Sequence, residues 1–248
     1  MATLHLLGTG AGLSDGSRTT TMLAFQNNGS TLVVDCGGDV VQRLLAAGID
    51  LASITALILT HEHPDHVSGF PLFMEKIWLA GRRHPIPVHG PEAALSQARR
   101  TFESFNTSGW EGLPEIQWHS VPLEQDALVL EDNSWRVTAA PGTHSVPVVG
   151  LRVEARPNGG TVTYSADTER SDAIARLARD ADILVHEGTG GFGGHTTVED
   201  AARVAAEAKA ARLVVVHIPP DVTERDAEQA REHFPALELG NDGATFTF

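Results

Sequence analysis

The sequence predicts an α/β protein with two packed sheets and helices on their outer faces. Three observations carry that expectation. Short apolar runs alternate with helix-spaced apolar segments towards both ends of the chain. Between them, residues 115–153 are strand-rich and alternate apolar with polar side chains. Strands in the middle, flanked by strand–helix units, suit two sheets stacked under helices. The 248 residues are enough to bury a substantial core, and no linker separates the two halves, so we read residues 1–248 as a single domain.

Residues 3–7 read as the first strand and residues 8–17 as a Gly-rich loop. Residues 20–25 and 31–35 read as paired strands around Asn27-Asn28-Gly29, because Asn-Gly favours a hairpin turn. Residues 40–47 space their apolar side chains for a helix that stops at Gly48. Residues 54–60 make a buried strand, and a helix follows over residues 67–79. Residues 86–89 are a short strand, after which Pro91 begins a helix over residues 92–105. In the second half, residues 161–165, 183–186 and 213–216 are strands, and residues 171–179, 197–208 and 223–233 are helices. No repeat of fixed period is present.

The chain carries 18 basic and 32 acidic residues, a formal net charge of −14. That charge opposes general attraction to nucleic acid or to an anionic membrane. No apolar run approaches the ~20 residues of a membrane span. Met1-Ala2-Thr3-Leu4-His5 has neither the basic start nor the apolar core of a secretory signal. Cys36 is the only cysteine, so no internal disulfide forms and a reducing compartment is permitted. The expectation is a cytoplasmic protein.

The most informative stretch is His61-Glu62-His63-Pro64-Asp65-His66, directly after the apolar run Leu57-Ile58-Leu59. Imidazole nitrogen and carboxylate oxygen are donors that zinc and its first-row neighbours accept. His61 and His63 are two apart, so in an extended segment they point the same way. One metal can take that pair, and a second metal can take Asp65 and His66.

With its strand–His-x-His-x-Asp-His pattern, the chain resembles the metallo-β-lactamase fold hydrolases. The resemblance extends along the chain through Leu7-Gly8-Thr9-Gly10, Asp35-Cys36-Gly37-Gly38, Gly142-Thr143-His144, Ser165-Ala166-Asp167-Thr168, His186-Glu187-Gly188-Thr189, His195-Thr196-Thr197 and Val216-His217. In this order the series is similar to the branch that holds the tRNA 3′-end-processing ribonuclease Z enzymes and smaller phosphodiesterases. The resemblance implies a four-layer αβ/βα sandwich of two mixed β-sheets. It also implies a ligand set. His61, His63 and His144 would hold one divalent metal, Asp65, His66 and His217 a second, and Asp167 would bridge them. Asp65 thereby joins the catalytic set. Two zinc ions are expected, with manganese or iron as alternatives. They would polarise a bridging water to hydroxide.

The resemblance further makes His195 the general acid, with Glu187 orienting it. On residue chemistry alone His195 can equally pack at a helix entry, and His144 and His217 can be loop histidines bonded to backbone. Asp35 reads either as a carboxylate that orients a ligand or as a plain strand-ending turn. The run from Gly188 to Gly194 reads as a lid or as a passive surface loop. His5, His84, His89, His119, His186 and His233 read as structural or surface residues. Trp78, Trp110 and Phe192 are candidate pocket residues, although aromatics more often fill cores.

The chain departs from the ribonuclease pattern in two places. The long tRNA-grasping arm of the bacterial form falls between the positions matching His144 and Asp167, and here residues 145–166 read as a plain hairpin. The Glu-Gly pair after Asp-Cys-Gly is replaced by Gly38-Asp39. The expected function is therefore a dinuclear metal-dependent phosphodiesterase acting on a small molecule or short nucleotide, with long nucleic acid disfavoured and no membrane partner. Armless tRNA 3′ processing, hydrolysis of a lactone, thioester or sulfate ester, and a non-catalytic metal sensor are the alternatives. The apolar face of residues 70–79 leaves a homodimer open.

Overall fold

The first strands follow from apolar stretches broken at Gly and Asn. They are β1 (Thr3–Gly8), β2 (Met22–Asn27) and β3 (Ser30–Val34). Asn28 and Gly29 both take positive φ, 50° and 76°, as a two-residue hairpin turn requires. Helix α1 (Val40–Ala46) starts where the Asp39 side chain accepts the Gln42 amide at 3.0 Å. A single 3-10 turn, Leu51–Ser53, leads into β4 (Ile54–Ile58). Then come α2 (Pro64–Val67), α3 (Phe70–Leu79), β5 (Ile86–Gly90), α4 (Glu92–Glu103) and β6 (Ile116–Ser120). The second half runs β7 (Ala127–Glu131), β8 (Trp135–Pro141), β9 (Val149–Ala155), β10 (Thr161–Tyr164), α5 (Asp172–Leu177) and β11 (Ile183–Glu187). It ends with α6 (Val198–Ala208), β12 (Leu213–Val216), α7 (Glu224–Ala230), β13 (Leu237–Leu239) and β14 (Thr245–Thr247). This computed structural model describes all residues, 1–248.

The strands form two seven-stranded mixed sheets, ordered β14-β1-β2-β3-β4-β5-β6 and β13-β12-β11-β10-β9-β8-β7. The first is antiparallel from β14 to β3 and parallel from β3 to β6. The second repeats the plan, antiparallel from β7 to β10 and parallel from β10 to β13. Leu4, Leu6, Phe25, Trp135, Tyr164 and Val216 fill the space between the sheets. The Trp135 indole N–H donates across it to Ser30 Oγ at 2.9 Å. The outer face of the first sheet packs Val33, Leu57 and Val88 against Phe70, Phe73 and Ala98 of α3 and α4. The outer face of the second packs Leu184, Leu213 and Val215 against the alanines of α6 and α7. Two mixed sheets with helices outside are the expected sandwich. No helix is long and apolar enough to cross a membrane.

Two features differ from expectation. The helix foreseen over residues 67–79 is two helices, broken at Gly69. The Gly69 amide donates to Cys36 O at 2.7 Å, and a Cβ there would lie 2.1 Å from Gly38 O. Pro71 lacks an amide hydrogen and is tolerated only in a first turn, so the helix restarts just before it. Strands β13 and β14, three residues each, were not anticipated. Three residues are too few to display an alternating pattern. Residues 145–166 do form a hairpin, since β9 and β10 pair antiparallel.

Candidate metal centre

Both sheets deliver polar residues to one shared edge. The Val149 amide bonds to Thr60 O at 3.2 Å, and the His217 amide to Thr21 Oγ1 at 3.1 Å, so the two sheets meet there. Three non-glycine residues at this edge adopt the left-handed backbone region: Asp35 at φ 60°, Ala166 at 52° and His217 at 55°. Each ends a strand with a sharp turn, at a cost of order 1 kcal/mol.

The turn after β4 and the short helix α2 place His61, His63, Asp65 and His66. Pro64 sits in the first turn of α2, so Asp65 and His66 project from a helical turn. His144 follows β8, Asp167 follows β10 and His217 follows β12. The side chains of His61, His63, His144 and Asp167 converge into one group that can hold a metal ion, and Asp65, His66, Asp167 and His217 into a second. Asp167 belongs to both. His217 Nε2 lies 3.2 Å from Asp65 Oδ2 and 3.3 Å from Asp167 Oδ2. His66 Nε2 is 3.5 Å from both Asp65 Oδ2 and Asp167 Oδ1, and His61 Nε2 is 3.7 Å from Asp167 Oδ2. His144 Nε2 is 3.1 Å from His63 Nδ1.

The free nitrogens face inward because the protein holds the others. His66 Nδ1 donates to Asp35 Oδ2 at 2.8 Å, His144 Nδ1 to Gly194 O at 2.6 Å, and His217 Nδ1 to Thr189 Oγ1 at 2.6 Å. His61 Nδ1 is 3.1 Å from Thr60 Oγ1. For these four rings the arrangement fixes orientation and leaves Nε2 as the lone-pair donor, whereas His63 turns Nδ1 inward and its Nε2 lies 3.4 Å from Ser145 Oγ. His61 Nε2, His66 Nε2 and Asp167 Oδ1 are fully buried with no hydrogen-bond partner. Such atoms are costly in a protein alone. Two divalent cations, one in each donor group, would satisfy all three, and the His/Asp donor sets suit them.

Electrostatics suit a cation at His61, His63, Asp65 and Asp167, whereas at His66 burial is outweighed by Asp167 and Asp35, which hold its pKa well above the ordinary value and leave a proton that a metal would displace. Burial pushes His61 and His63 below the ordinary imidazole range, which favours the neutral ring. Burial opposes the charge on Asp167, but His217 and His66 outweigh it and hold the carboxyl well below the usual range. Asp65 is likewise depressed, by its bond to His217 and the charge of His66 against the effect of burial. Neutral imidazole and ionised carboxylate are the ligand forms.

This donor arrangement on two mixed sheets is matched by a known family. Residues 30–218 match the family model described as the β-lactamase superfamily domain. The chain belongs to that superfamily. A ribonuclease Z of Methanothermobacter thermautotrophicus is 27% identical, with 98% of this chain and 95% of that protein covered. The aligned span of 299 positions exceeds the 248 residues here, so that relative carries segments this chain lacks. Among solved structures, the metallo-β-lactamase fold protein YhfI of Bacillus subtilis superposes with a TM-score of 0.83 at 22% identity, over 100% of this chain and 99% of that one. A diphosphatase from the PhnP family superposes at 0.76 with 23% identity, over 100% and 98%. On its membership and donor set, this superfamily member is a metal-dependent hydrolase.

Beside the donors stands a second constellation. His195 Nδ1 is 3.0 Å from Glu187 Oε1. Glu187 is fully buried and also accepts the Thr168 and Thr189 amides, at 3.0 and 2.9 Å. Burial disfavours the charged form of His195, yet the bond and charge of Glu187, aided by Asp167 and Asp65, raise its pKa above the ordinary value. Its ring lines a cleft of about 400 Å³ together with His63, Asp65, Asp167 and His217.

Asp35 is no plain turn residue. It is fully buried and accepts the Thr60 amide, the Thr60 hydroxyl and His66 Nδ1. Phe192 lines the cleft, whereas Trp78 and Trp110 stack on each other at 4.9 Å and line none of it. His5, His89 and His186 are buried outside the two donor groups. Sequence reasoning missed the contacts that Thr189, Gly194 and Glu169 make. Gly194 accepts from His144 and donates its amide to Glu169 Oε1 at 2.9 Å, so this end of the glycine run is tethered rather than loose.

Proposed function

We propose that the protein is a dinuclear metal-dependent phosphodiesterase. The observation that carries this is the pair of donor groups sharing Asp167 at one cleft, beside the buried Glu187–His195 pair. His61, His63 and His144 would hold one ion, Asp65, His66 and His217 the other, and Asp167 both. Two such ions supply water activation and charge stabilisation to an ester. Around them the protein's own residues orient and move protons. Asp35, Thr60, Gly194 and Thr189 hold the rings of His66, His61, His144 and His217 with Nε2 facing inward. His195, whose protonated form Glu187 favours against burial, donates its proton to the departing oxygen. Glu187 keeps Nδ1 protonated, so Nε2 is the atom that delivers the proton.

The phosphorus-ester reading draws support from a relative named as a ribonuclease and a structural neighbour named as a diphosphatase. A second reading, tRNA 3′ processing without the arm, is favoured by the coverage of the ribonuclease Z relative. The tight β9–β10 hairpin and the −14 charge weigh against it. The test is turnover of bis(p-nitrophenyl) phosphate by metal-quantified protein, beside p-nitrophenyl phosphate, a lactone, a thioester, an aryl sulfate and a pre-tRNA. Selective diester cleavage that disappears in Asp167→Ala is expected. Metal-loaded protein that leaves the diester intact would overturn the reading, and cleavage of pre-tRNA alone would replace it with the second.

A further inference from the structure

The cleft's lining holds no lysine or arginine. Its charged protein groups are Asp65, Asp167, Asp221 and the histidines. Asp221 is exposed and makes no ion pair, so its charge is not neutralised within the protein. Arg18, which donates to Thr9 Oγ1 at 2.6 Å and to Gly240 O, does not line the cleft. Within the cleft lining, the metals and His195 would be the only positive charges a bound substrate touches, and all lie at the reacting ester.

The mouth has a different chemistry. Leu13 and Phe192 are 78% and 60% exposed, among the few large apolar side chains left in solvent, and both line this cleft. The Phe192 ring lies 4.9 Å from the His195 ring, tilted by 56°. His195 marks where the departing oxygen sits, so the group attached to that oxygen comes against Phe192. Pro219 and Pro220 complete a wall with no side-chain donors.

From this we infer that the cleft selects a singly charged phosphodiester whose departing group is apolar and aromatic. The inference rests on the phosphodiesterase reading and narrows it. Phe192 and Leu13 hold the departing group by ring and methyl contact. Asp221 repels any further phosphate, because no cation answers it. Nucleotides bearing an extra terminal phosphate are poor substrates on this account.

A matched pair of substrates tests it: thymidine 5′-(p-nitrophenyl phosphate) and the same diester with an added 3′-phosphate. The reacting bond is identical in the two. The doubly substituted substrate is expected to show a KM about fivefold higher at low salt, a gap that closes in 0.5 M salt. Asp221→Lys narrows the gap at low salt. Phe192→Ala raises KM about fivefold for both substrates, and Phe192→Trp restores it. Equal KM values in the unaltered protein, or a gap indifferent to Asp221→Lys, would overturn the charge selection. An unmoved KM in Phe192→Ala would overturn the aromatic contact. Absence of cleavage of either substrate by fully metal-loaded protein removes the phosphodiesterase reading itself, a result distinct from equal cleavage of both.

Discussion

Asp35 and Glu187 are two fully buried carboxylates, one after β3 in the first sheet and one at the end of β11 in the second. Each accepts from a backbone amide and each grips a histidine through Nδ1, His66 at 2.8 Å and His195 at 3.0 Å. The two units differ in what surrounds the far side of the ring. His66 is fully enclosed, with Nε2 facing Asp65 and Asp167. The His195 side chain keeps 14% exposure and opens on the cleft. Under the proposed function, one carboxylate–histidine unit would serve as an anchored ligand and the other as a proton carrier. Burial and the neighbours of Nε2, not the pair itself, decide which.

Substitutions should separate the two units. His195→Ala is expected to retain its metal and to lose about 10²- to 10³-fold in kcat on diesters with poor leaving groups, with a smaller loss on p-nitrophenyl esters, whose leaving group needs no proton. A metal content that fell together with kcat would make His195 a ligand and erase the contrast. Asp35→Asn should do the reverse. Metal affinity falls about 10- to 100-fold, measured by competition with a chromophoric chelator, while the pH profile of the metal-saturated enzyme stays put.

Glu187→Gln should act on pH. Glu187 raises the His195 pKa, so the protonated acid persists to higher pH and activity falls as pH rises through that value. Removing the charge moves the alkaline limb of kcat to lower pH, and an unmoved limb would separate His195 from the proton transfer. The smallest expected effect belongs to Thr189→Val, which removes the hydroxyl beside His217 Nδ1. It should weaken binding of one of the two ions about tenfold, visible as a split in a calorimetric metal titration.

The contrast also explains what the sequence could disclose. His61, His63, Asp65 and His66 were legible because one strand and one turn deliver them within six residues. The strand–helix rhythm was legible because long apolar runs and Gly or Pro punctuation mark it. His144, Asp167, His217 and the Glu187–His195 pair stood out only through resemblance to a family, since each is an isolated polar residue at a strand end or in a loop. The parts played by Thr189, Gly194 and Glu169 were invisible for a physical reason. Their contacts join positions 28, 50 and 25 residues apart, and no local pattern encodes a partner at that distance. The break at Gly69 was equally hidden, because its cause is the carbonyls of Cys36 and Gly38 on another segment.

Two ions sharing Asp167 would supply the chemistry for phosphodiester hydrolysis at this cleft. The most direct test is a titration of chelator-stripped protein with zinc, following bis(p-nitrophenyl) phosphate turnover and bound metal together. Activity that climbs to a plateau at about two equivalents, with neither plateau nor turnover in Asp167→Ala, is the predicted result. Two equivalents bound with the diester left intact would contradict it.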